Sequence, residues 1–427
     1  MKKIVLEHSK LKGEISPPAS KSILHRYIIS ASMANGKSRI SNISLSDDIL
    51  ATISAMKNLG AIIEIKNREL LIDGSSFSNT KFESEKGILK DKIFIDCNES
   101  GSTLRFLIPI SLIKDNNVIF KGKDSLFKRP LEPYFEILEK SGVNYTFLLN
   151  KEDKLTLSGK LKSGDYKLVG NISSQFITGL LFALPLLEGQ SKIEIKGKVE
   201  SKSYIDLTLD CLKKFGINFK NMGYKNIYIE GNQKYKIQNL EVESDFSQAA
   251  FFIVANALGS DVELKNINKD SLQGDSEIID FVDKLFKAKD ESLIIDGSNC
   301  PDIIPIFTLY AANSNKRVRI INIGRLRIKE CDRLNATVYE LSKLGFDLQE
   351  KEEEILVNYR EGKKIQKETV ELSVHNDHRI AMMIAIASTI YEGKIILDNA
   401  SCVKKSYPNF WEDFSSLGGK FYEYMGK

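Results

Sequence analysis

The chain has 427 residues, 42% hydrophobic and 28% charged, which is ordinary globular usage and excludes a single small module, a disordered chain and a fibrous protein. Lys+Arg 61 against Asp+Glu 57 leaves a formal charge of +4, too balanced for a partner that is bulk nucleic acid or an anionic membrane surface. Any anion must therefore be met by local charge. The five cysteines (Cys97, Cys211, Cys300, Cys331, Cys402) are odd in number and include no C-x-x-C pair, which points to a reducing cytoplasm. With four histidines and no pair at zinc-ligand spacing, no metal is expected.

At the N-terminus, Ile4-Val5-Leu6 meets Glu7 after three apolar residues, too short for a signal peptide. The near-apolar stretches 177–187 and 381–390 fall short of the ~20 residues that span a bilayer. A soluble, cytoplasmic protein without a membrane partner is expected. Along the chain, amphipathic helices end in Leu or Phe followed by glycine: Met56-Lys57-Asn58-Leu59-Gly60, Leu138-Glu139-Lys140-Ser141-Gly142, Leu212-Lys213-Lys214-Phe215-Gly216, Leu341-Ser342-Lys343-Leu344-Gly345 and Phe414-Ser415-Ser416-Leu417-Gly418. A sixth, Val282-Asp283-Lys284-Leu285-Phe286, lacks the glycine. Each glycine sits where a left-handed helix stop is wanted, and an alternating strand follows, as in Ala61-Ile62-Ile63-Glu64-Ile65. Most copies then close on a second strand, as at Leu71-Ile72-Asp73-Gly74, Leu157-Ser158-Gly159, Ile229-Glu230-Gly231 and Ile294-Ile295-Asp296-Gly297.

Between these helices lie others, apolar on nearly every face and so buried, opening near Ser20-Lys21-Ser22, Gly101-Ser102-Thr103, Ser173-Ser174-Gln175, Asp245-Phe246-Ser247, Pro301-Asp302 and Asp377-His378-Arg379. The two series alternate, predicting six β-α-β-α-β-β units of an α/β protein. The polar stretch Gly231-Asn232-Gln233-Lys234-Tyr235-Lys236 splits them three and three. The strand at 4–6 reads with either half. It is assigned to the discontinuous lobe 1–16 plus 237–427, leaving 17–236 as the other; two similar lobes facing a cleft, and closing on ligand, are expected.

A helix N-terminus offers unpaired N–H groups and about half a positive charge, a ready anion site. Lys21, Ser22 and Arg26 share the opening of the first buried helix, and Gly101-Ser102-Thr103 offers bare backbone with Arg105 behind it. Arg129-Pro130 and Pro408 are read at first helical positions, and Lys329-Glu330-Cys331-Asp332-Arg333 precedes the fifth amphipathic helix. Only 12 arginines stand against 49 lysines, yet Arg26, Arg105, Arg129, Arg333 and Arg379 all read as helix starts, where a planar fork suits bidentate anion contact. The plainer alternative is surface ion pairs or capping charges. Asn35-Gly36-Lys37-Ser38 ends like a P-loop, but Ala31 replaces its first glycine; no G-x-G-x-x-G, G-x-S-x-G or H-E-x-x-H occurs. A lone His378 reads as a structural donor rather than a base.

Taken in register, Lys21-Ser22 with Arg26, Gly101-Ser102-Thr103-Leu104-Arg105, Lys128-Arg129-Pro130, Ser173-Ser174-Gln175-Phe176, Ser201-Lys202-Ser203-Tyr204, Pro301-Asp302, Lys329 to Arg333, Asn376-Asp377-His378-Arg379 and Lys404-Lys405-Ser406-Tyr407-Pro408 resemble the enolpyruvyl transferase family, in its 3-phosphoshikimate 1-carboxyvinyltransferase branch. The resemblance implies two lobes of three units each, an inside-out α/β barrel arrangement. It implies transfer of the enolpyruvyl group of phosphoenolpyruvate to the 5-hydroxyl of shikimate 3-phosphate, with release of phosphate. By motif position it assigns Lys21, Ser22, Arg26, Ser173, Ser174, Gln175, Ser201, Asp302 and Lys329 to shikimate 3-phosphate. To phosphoenolpyruvate it assigns Lys21, Gly101, Arg129, Gln175, Arg333, Arg379 and Lys405. Asp302 is the candidate base at the 5-hydroxyl and Glu330 the candidate acid at C3, with Lys21 as partner; no cofactor is implied, and a monomer is expected. Two positions depart from the pattern: Asn98-Glu99-Ser100-Gly101 where Asn-Ala-Gly is usual, and Arg325 where some members carry asparagine. No role is read for Asn98, Glu99 or Arg325. Two alternatives remain, a UDP-N-acetylglucosamine enolpyruvyl transferase and a non-catalytic anion-binding repeat protein.

Overall fold

The helix-and-glycine repeat of the sequence becomes a repeated sheet in the computed structural model, which describes residues 3–77, 92–148, 154–170, 172–288, 292–358 and 368–424. The chain divides into two compact units, Met1–Pro18 with Ser244–Lys427, and Ala19–Glu243. In chain order the elements of the first stretch are β1 (Ile4–Glu7), β2 (Lys12–Ile15), α1 (Lys21–Met33), β3 (Lys37–Ser41), α2 (Asp47–Asn58), β4 (Ile62–Lys66) and β5 (Glu69–Asp73). Next come β6 (Lys92–Asp96), α3 (Gly101–Ser111), β7 (Asn116–Lys121), the single turn α4 (Asp124–Phe127), α5 (Glu132–Ser141), β8 (Asn144–Leu148) and β9 (Lys154–Gly159). Then follow β10 (Asp165–Val169), α6 (Ser174–Ala183), β11 (Ser191–Lys196), α7 (Lys202–Lys214), β12 (Phe219–Met222), β13 (Asn226–Ile229) and β14 (Asn239–Glu241).

Within the Ala19–Glu243 unit the sheets run β14-β3-β5-β4, β6-β7-β9-β8 and β10-β11-β13-β12. In each, the first two strands are parallel and the rest antiparallel; in the second and third sheets a buried helix, α3 or α6, crosses over between the parallel pair, whereas β14 and β3 come from opposite ends of the unit. That crossover puts the openings of α3 and α6 at the carboxyl ends of β6 and β10. Alternation sets the faces: in β6, Ile93 and Ile95 are buried while Phe94 is 52% exposed.

The other unit continues with α8 (Phe246–Ala257), β15 (Asp261–Leu264), α9 (Glu277–Lys287), β16 (Leu293–Asp296), α10 (Ile304–Asn313), β17 (Val318–Ile321), α11 (Arg333–Lys343), β18 (Leu348–Glu350) and β19 (Ile355–Val357). It ends with β20 (Val370–Leu372), α12 (His378–Ala387), β21 (Ile395–Leu397), α13 (Phe410–Ser416) and β22 (Lys420–Glu423). Its sheets are β16-β17-β19-β18 and β20-β21-β1-β22, with β2 beside β15. The N-terminal strand is thereby placed: Val5 lies opposite both Ile396 and Tyr422.

Four features differ from the sequence reading. The unit boundary falls after Glu243 rather than 236, because Asn239–Glu241 pairs with Arg39–Ser41. The run Ile294-Ile295-Asp296 does not close the fourth repeat; β16 pairs in parallel with β17 and opens the fifth. Among the described residues the fourth repeat keeps only β2 and β15 as a sheet. Pro130 and Pro408 lie ahead of their helices, whereas Pro133 takes the first turn of α5.

The helix stops are as anticipated: Gly60, Gly142, Gly216, Gly345 and Gly418 have φ of 104°, 72°, 78°, 90° and 93°. The two helix series also divide as their patterns demand. In α12 every residue is buried, whereas α9 buries only Ile278, Phe281 and Leu285, one stripe at helical spacing. Each fully buried Ile, Leu or Phe contributes about 1.5–3 kcal/mol, so the apolar helices carry their unit's stability. Close approach of α3 and α6 depends on Gly179, where an added Cβ would lie 2.3 Å from Tyr134 Oη and 2.5 Å from the Arg105 carbonyl. Gly179→Ala should cost about 1–3 kcal/mol through overpacking, read as a lower urea midpoint; an unchanged midpoint would show that α3 and α6 can separate freely.

Candidate active site

In the Ala19–Glu243 unit, two groups of side chains collect at helix openings. At α1, Lys21 Nζ donates to Asp48 Oδ2 at 2.8 Å, and Asp48 stands in the first turn of α2. The Arg26 guanidinium is 3% exposed and bridges α1 to α7: Nε donates to Thr208 Oγ1 (2.9 Å), Nη2 to the Tyr204 carbonyl (2.8 Å) and Nη1 to the Ser22 carbonyl (2.6 Å). Ser201, buried at the N-cap of α7, holds φ 53°.

At α3, the Ser100 hydroxyl accepts from Thr103 N at 3.2 Å, capping a helix that begins on bare glycine. A Cβ on Gly101 would lie 3.0 Å from Arg105 Nη1, 3.1 Å from Arg129 Nη1 and 3.6 Å from Gln175 Oε1. Two guanidiniums therefore meet the electropositive end of α3. Arg105 Nη1 donates to Gln175 Oε1 (2.8 Å), and Gln175 Nε2 donates to Ser102 Oγ (3.0 Å), tying α3 to the opening of α6. There Ser173 caps the helix by accepting from Gln175 N at 3.3 Å, with Ser174 buried beside it. Behind both groups, Thr52 Oγ1 lies 2.7 Å from Thr103 Oγ1 and 2.8 Å from His25 Nδ1. Burial pushes His25 down to about 3, so this imidazole is neutral at neutral pH.

In the other unit, a denser cluster forms where α10, α11 and α12 open. Arg333, 1% exposed, joins three carboxylates: Nε to Asp377 Oδ2 (2.9 Å), Nη1 to Asp302 Oδ1 (2.9 Å) and Nη2 to Glu330 Oε2 (2.5 Å). Lys329 Nζ reaches Asp302 at 3.3 Å, Arg379 Nη2 lies 3.7 Å from Asp302, and Lys405 Nζ lies 3.4 Å from Glu330. Arg379 is fixed by donating to Ser247 O (2.6 Å) and Ser247 Oγ (2.7 Å), while Asp377 caps α12 through Arg379 N (2.8 Å). Ser247 Oγ in turn donates to Asp245, the N-cap of α8.

Two carboxyls in this cluster are driven in opposite directions. Burial alone would raise Asp302, but Lys329, Arg379 and Arg333 outweigh it and hold the group well below the usual carboxylate range. Asp275, 6% exposed, is pushed up to about 8 by burial and by the charge of Asp302. At neutral pH, Asp302 is therefore ionised and Asp275 keeps its proton. A carboxylate set among cations can take a proton and orient a hydroxyl, which pure anion capture does not require.

The chain thus brings Lys21, Ser22, Arg26, Gly101, Arg129, Ser173, Ser174, Gln175 and Ser201 into one unit and Asp302, Lys329, Glu330, Arg333, Arg379 and Lys405 into the other. The surface-pair alternative fails for Arg26, Arg105, Arg333 and Arg379, all buried. Only Arg333 and Arg379 stand in a first turn; Arg26 and Arg105 lie one turn in, and Arg129 precedes α5. His378 is buried at the first position of α12. Sequence reasoning missed Asp48 and Asp275 and underrated Asp377. The acidic pair Asp47-Asp48 at a helix start was a signal for the first; nothing local marks Asp275.

Comparison with known proteins adds an independent line. The family model of EPSP synthase (3-phosphoshikimate 1-carboxyvinyltransferase) matches residues 5–414. The 3-phosphoshikimate 1-carboxyvinyltransferase of Clostridium perfringens is 50% identical over 437 aligned residues, covering 98% of this chain and 99% of that protein. That of Clostridioides difficile is 48% identical, covering 98% of each. Of solved structures, an EPSP synthase from Acinetobacter baumannii superposes with a TM-score of 0.79 at 24% identity, covering 100% of both chains. The enolpyruvyl transferase NikO from Streptomyces tendae gives 0.78 at 13% identity, covering 100% of this chain and 99% of that one. These two likenesses speak to the fold alone.

Proposed function

The chain belongs to the EPSP synthase family, and from that premise we propose that it transfers the enolpyruvyl group of phosphoenolpyruvate to the 5-hydroxyl of shikimate 3-phosphate, a step of the shikimate pathway. The observation that carries the reading is the Asp302 carboxylate, ionised and ringed by Lys329, Arg333 and Arg379. Both substrates bear a carboxylate and a phosphate, and bringing them together demands several fixed cations.

Asp302 takes the 5-hydroxyl proton as that oxygen bonds to C2 of phosphoenolpyruvate, and Glu330, which takes a proton from solvent once substrate anions engage Arg333 and Lys405, delivers that proton to C3, giving the methyl group of a tetrahedral adduct. In the second half, a C3 proton returns to Glu330, the C2–O bond to phosphate breaks, and phosphate leaves with the proton from Asp302. Arg129, Arg333, Arg379 and Lys405 stabilise the charge that grows on the departing phosphate. Before ligands arrive, Asp302 is too acidic to be an effective base. Substrate anions neutralise the cations that hold it down, so binding itself raises its affinity for a proton. Ser22, Arg26, Ser173, Ser174, Gln175, Ser201 and Lys329 bind shikimate 3-phosphate, and Gly101 opens the α3 terminus to phosphoenolpyruvate.

Lys21, paired with Asp48, is proposed to serve both substrates. Lys21→Met should weaken binding and slow turnover by about a hundredfold or more in kcat/KM, and unchanged kinetics would remove its role. A sugar-nucleotide acceptor would call for a reactive loop cysteine, whereas Cys97 is fully buried and its thiol is pushed up by burial. The chain is proposed to act as a monomer in the cytoplasm, in keeping with five free thiols; no helix of the described residues is long and apolar enough to cross a membrane. Phosphate release from phosphoenolpyruvate, compared with shikimate 3-phosphate and with UDP-N-acetylglucosamine as acceptor, tests the reading. Release with the sugar nucleotide alone would overturn it.

A further inference from the structure

Arg333 is not the only grip of α11 on the segment that leads into α12. Two turns further along the helix, Glu340 is fully buried, and its carboxylate accepts from His375 Nε2 (2.7 Å), the Ser373 amide (3.2 Å) and Lys343 Nζ (3.0 Å). At a spacing of seven residues, Arg333 and Glu340 share one helix face. That face therefore holds the approach to α12 at two points, Asp377 and the Ser373–His375 turn.

The turn needs holding. His375 and Asn376 have φ of 51° and 55°, two successive left-handed residues without glycine, a conformation the chain does not keep unaided. Asp398 accepts from Ser373 Oγ (2.8 Å) and Val374 N (2.7 Å), and Asn399 Nδ2 donates to Asn376 Oδ1 (2.8 Å). Within this frame Asp377 N bonds the Val374 carbonyl at 2.8 Å, and the Asp377 carboxylate is aimed at once to Arg333 and to the Arg379 amide.

We propose that Glu340, through His375, is a positioning residue for phosphoenolpyruvate: by fixing the left-handed turn it sets Asp377, and through Asp377 the orientation of Arg333 and Arg379. This rests on the reading that those two arginines meet phosphoenolpyruvate. Glu340 touches no substrate. Its loss should therefore disturb one substrate more than the other, which a merely structural role would not do.

The test is steady-state kinetics of the full chain with each substrate varied, together with thermal melting, for Glu340→Ala, His375→Leu and His375→Gln. In Glu340→Ala and His375→Leu, KM for phosphoenolpyruvate should rise about tenfold while KM for shikimate 3-phosphate stays within about twofold. His375→Gln keeps a donor for Glu340 and should restore the wild-type KM. Equal changes in both KM values, an unchanged KM for phosphoenolpyruvate, or a glutamine no better than leucine would each overturn the proposal. Should Glu340→Ala fail to fold, the two His375 variants decide. If the wild-type chain releases no phosphate with shikimate 3-phosphate, the proposed function falls; calorimetric titration with phosphoenolpyruvate then reads the same variants, a tenfold loss of affinity supporting the positioning role and an equal affinity refuting it.

Discussion

An Asp302→Ala enzyme should release phosphate about a thousandfold more slowly than the wild type, the usual range for loss of a general base, while phosphoenolpyruvate binding is retained. Retention follows from the cluster's charge. Asp302 occupies Arg333 Nη1 at 2.9 Å and Lys329 Nζ at 3.3 Å, so its removal returns two cations to the incoming anion. Asp302→Asn should be as slow as the alanine variant, because the amide keeps the shape but takes no proton. Full activity in either would end the assignment. The pH profile makes a second check. In the ligand-free protein, burial opposes ionisation of Asp302, yet Lys329, Arg379 and Arg333 hold it well below 3.8. The folded value lies below the unfolded one, so the stability this group contributes is present above about 3.8 and is lost only as the pH falls through the lower folded value. The acid limb of kcat/KM, which reports the free enzyme, should therefore not arise from Asp302, whereas the limb of kcat should shift to higher pH once substrate anions offset the cations.

What the sequence reveals of this fold is what local physics writes. A left-handed stop at Gly142 or Gly216 and a stripe of apolar residues at 278, 281 and 285 are set by neighbours a few residues away, and both read directly. Long-range exchange of strands has no such signature. Residues 239–241 look like the start of the second lobe, yet their backbone pairs with Arg39–Ser41, and 4–7 completes a sheet made at the far end of the chain. The site follows the same division. Helix openings and their caps are legible, because free N–H groups demand Ser, Thr or Asp. The ion partners are not: Lys21 finds Asp48, 27 residues on, and Arg333 finds Asp377, 44 residues on, through packing that no spacing rule encodes. Asp275 shows the limit most clearly, since its raised proton affinity comes from burial and the charge of Asp302, neither visible around Gln273-Gly274-Asp275.

The largest loss of stability is expected at Arg333, because it is the shared partner of three carboxylates and is itself 1% exposed. Burial works against its charge, and Asp377, Glu330 and Asp302 more than restore it. Arg333→Met removes the cation but leaves Asp377 fully buried, and breaking a buried pair on one side typically costs about 3–5 kcal/mol. For a unit of this size that corresponds to a Tm lower by about 10 °C. Arg333→Lys should recover part of the stability and little of the activity, since one ammonium cannot span the three acceptors that a planar fork reaches. Combining Arg333→Met with Asp377→Asn separates the physical terms. If the cost is chiefly the stranded carboxylate, the double variant should melt above Arg333→Met alone, whereas strictly additive losses would assign the penalty to lost packing. Phosphate release should stay abolished in both, because the departing phosphate has lost the guanidinium that neutralises it.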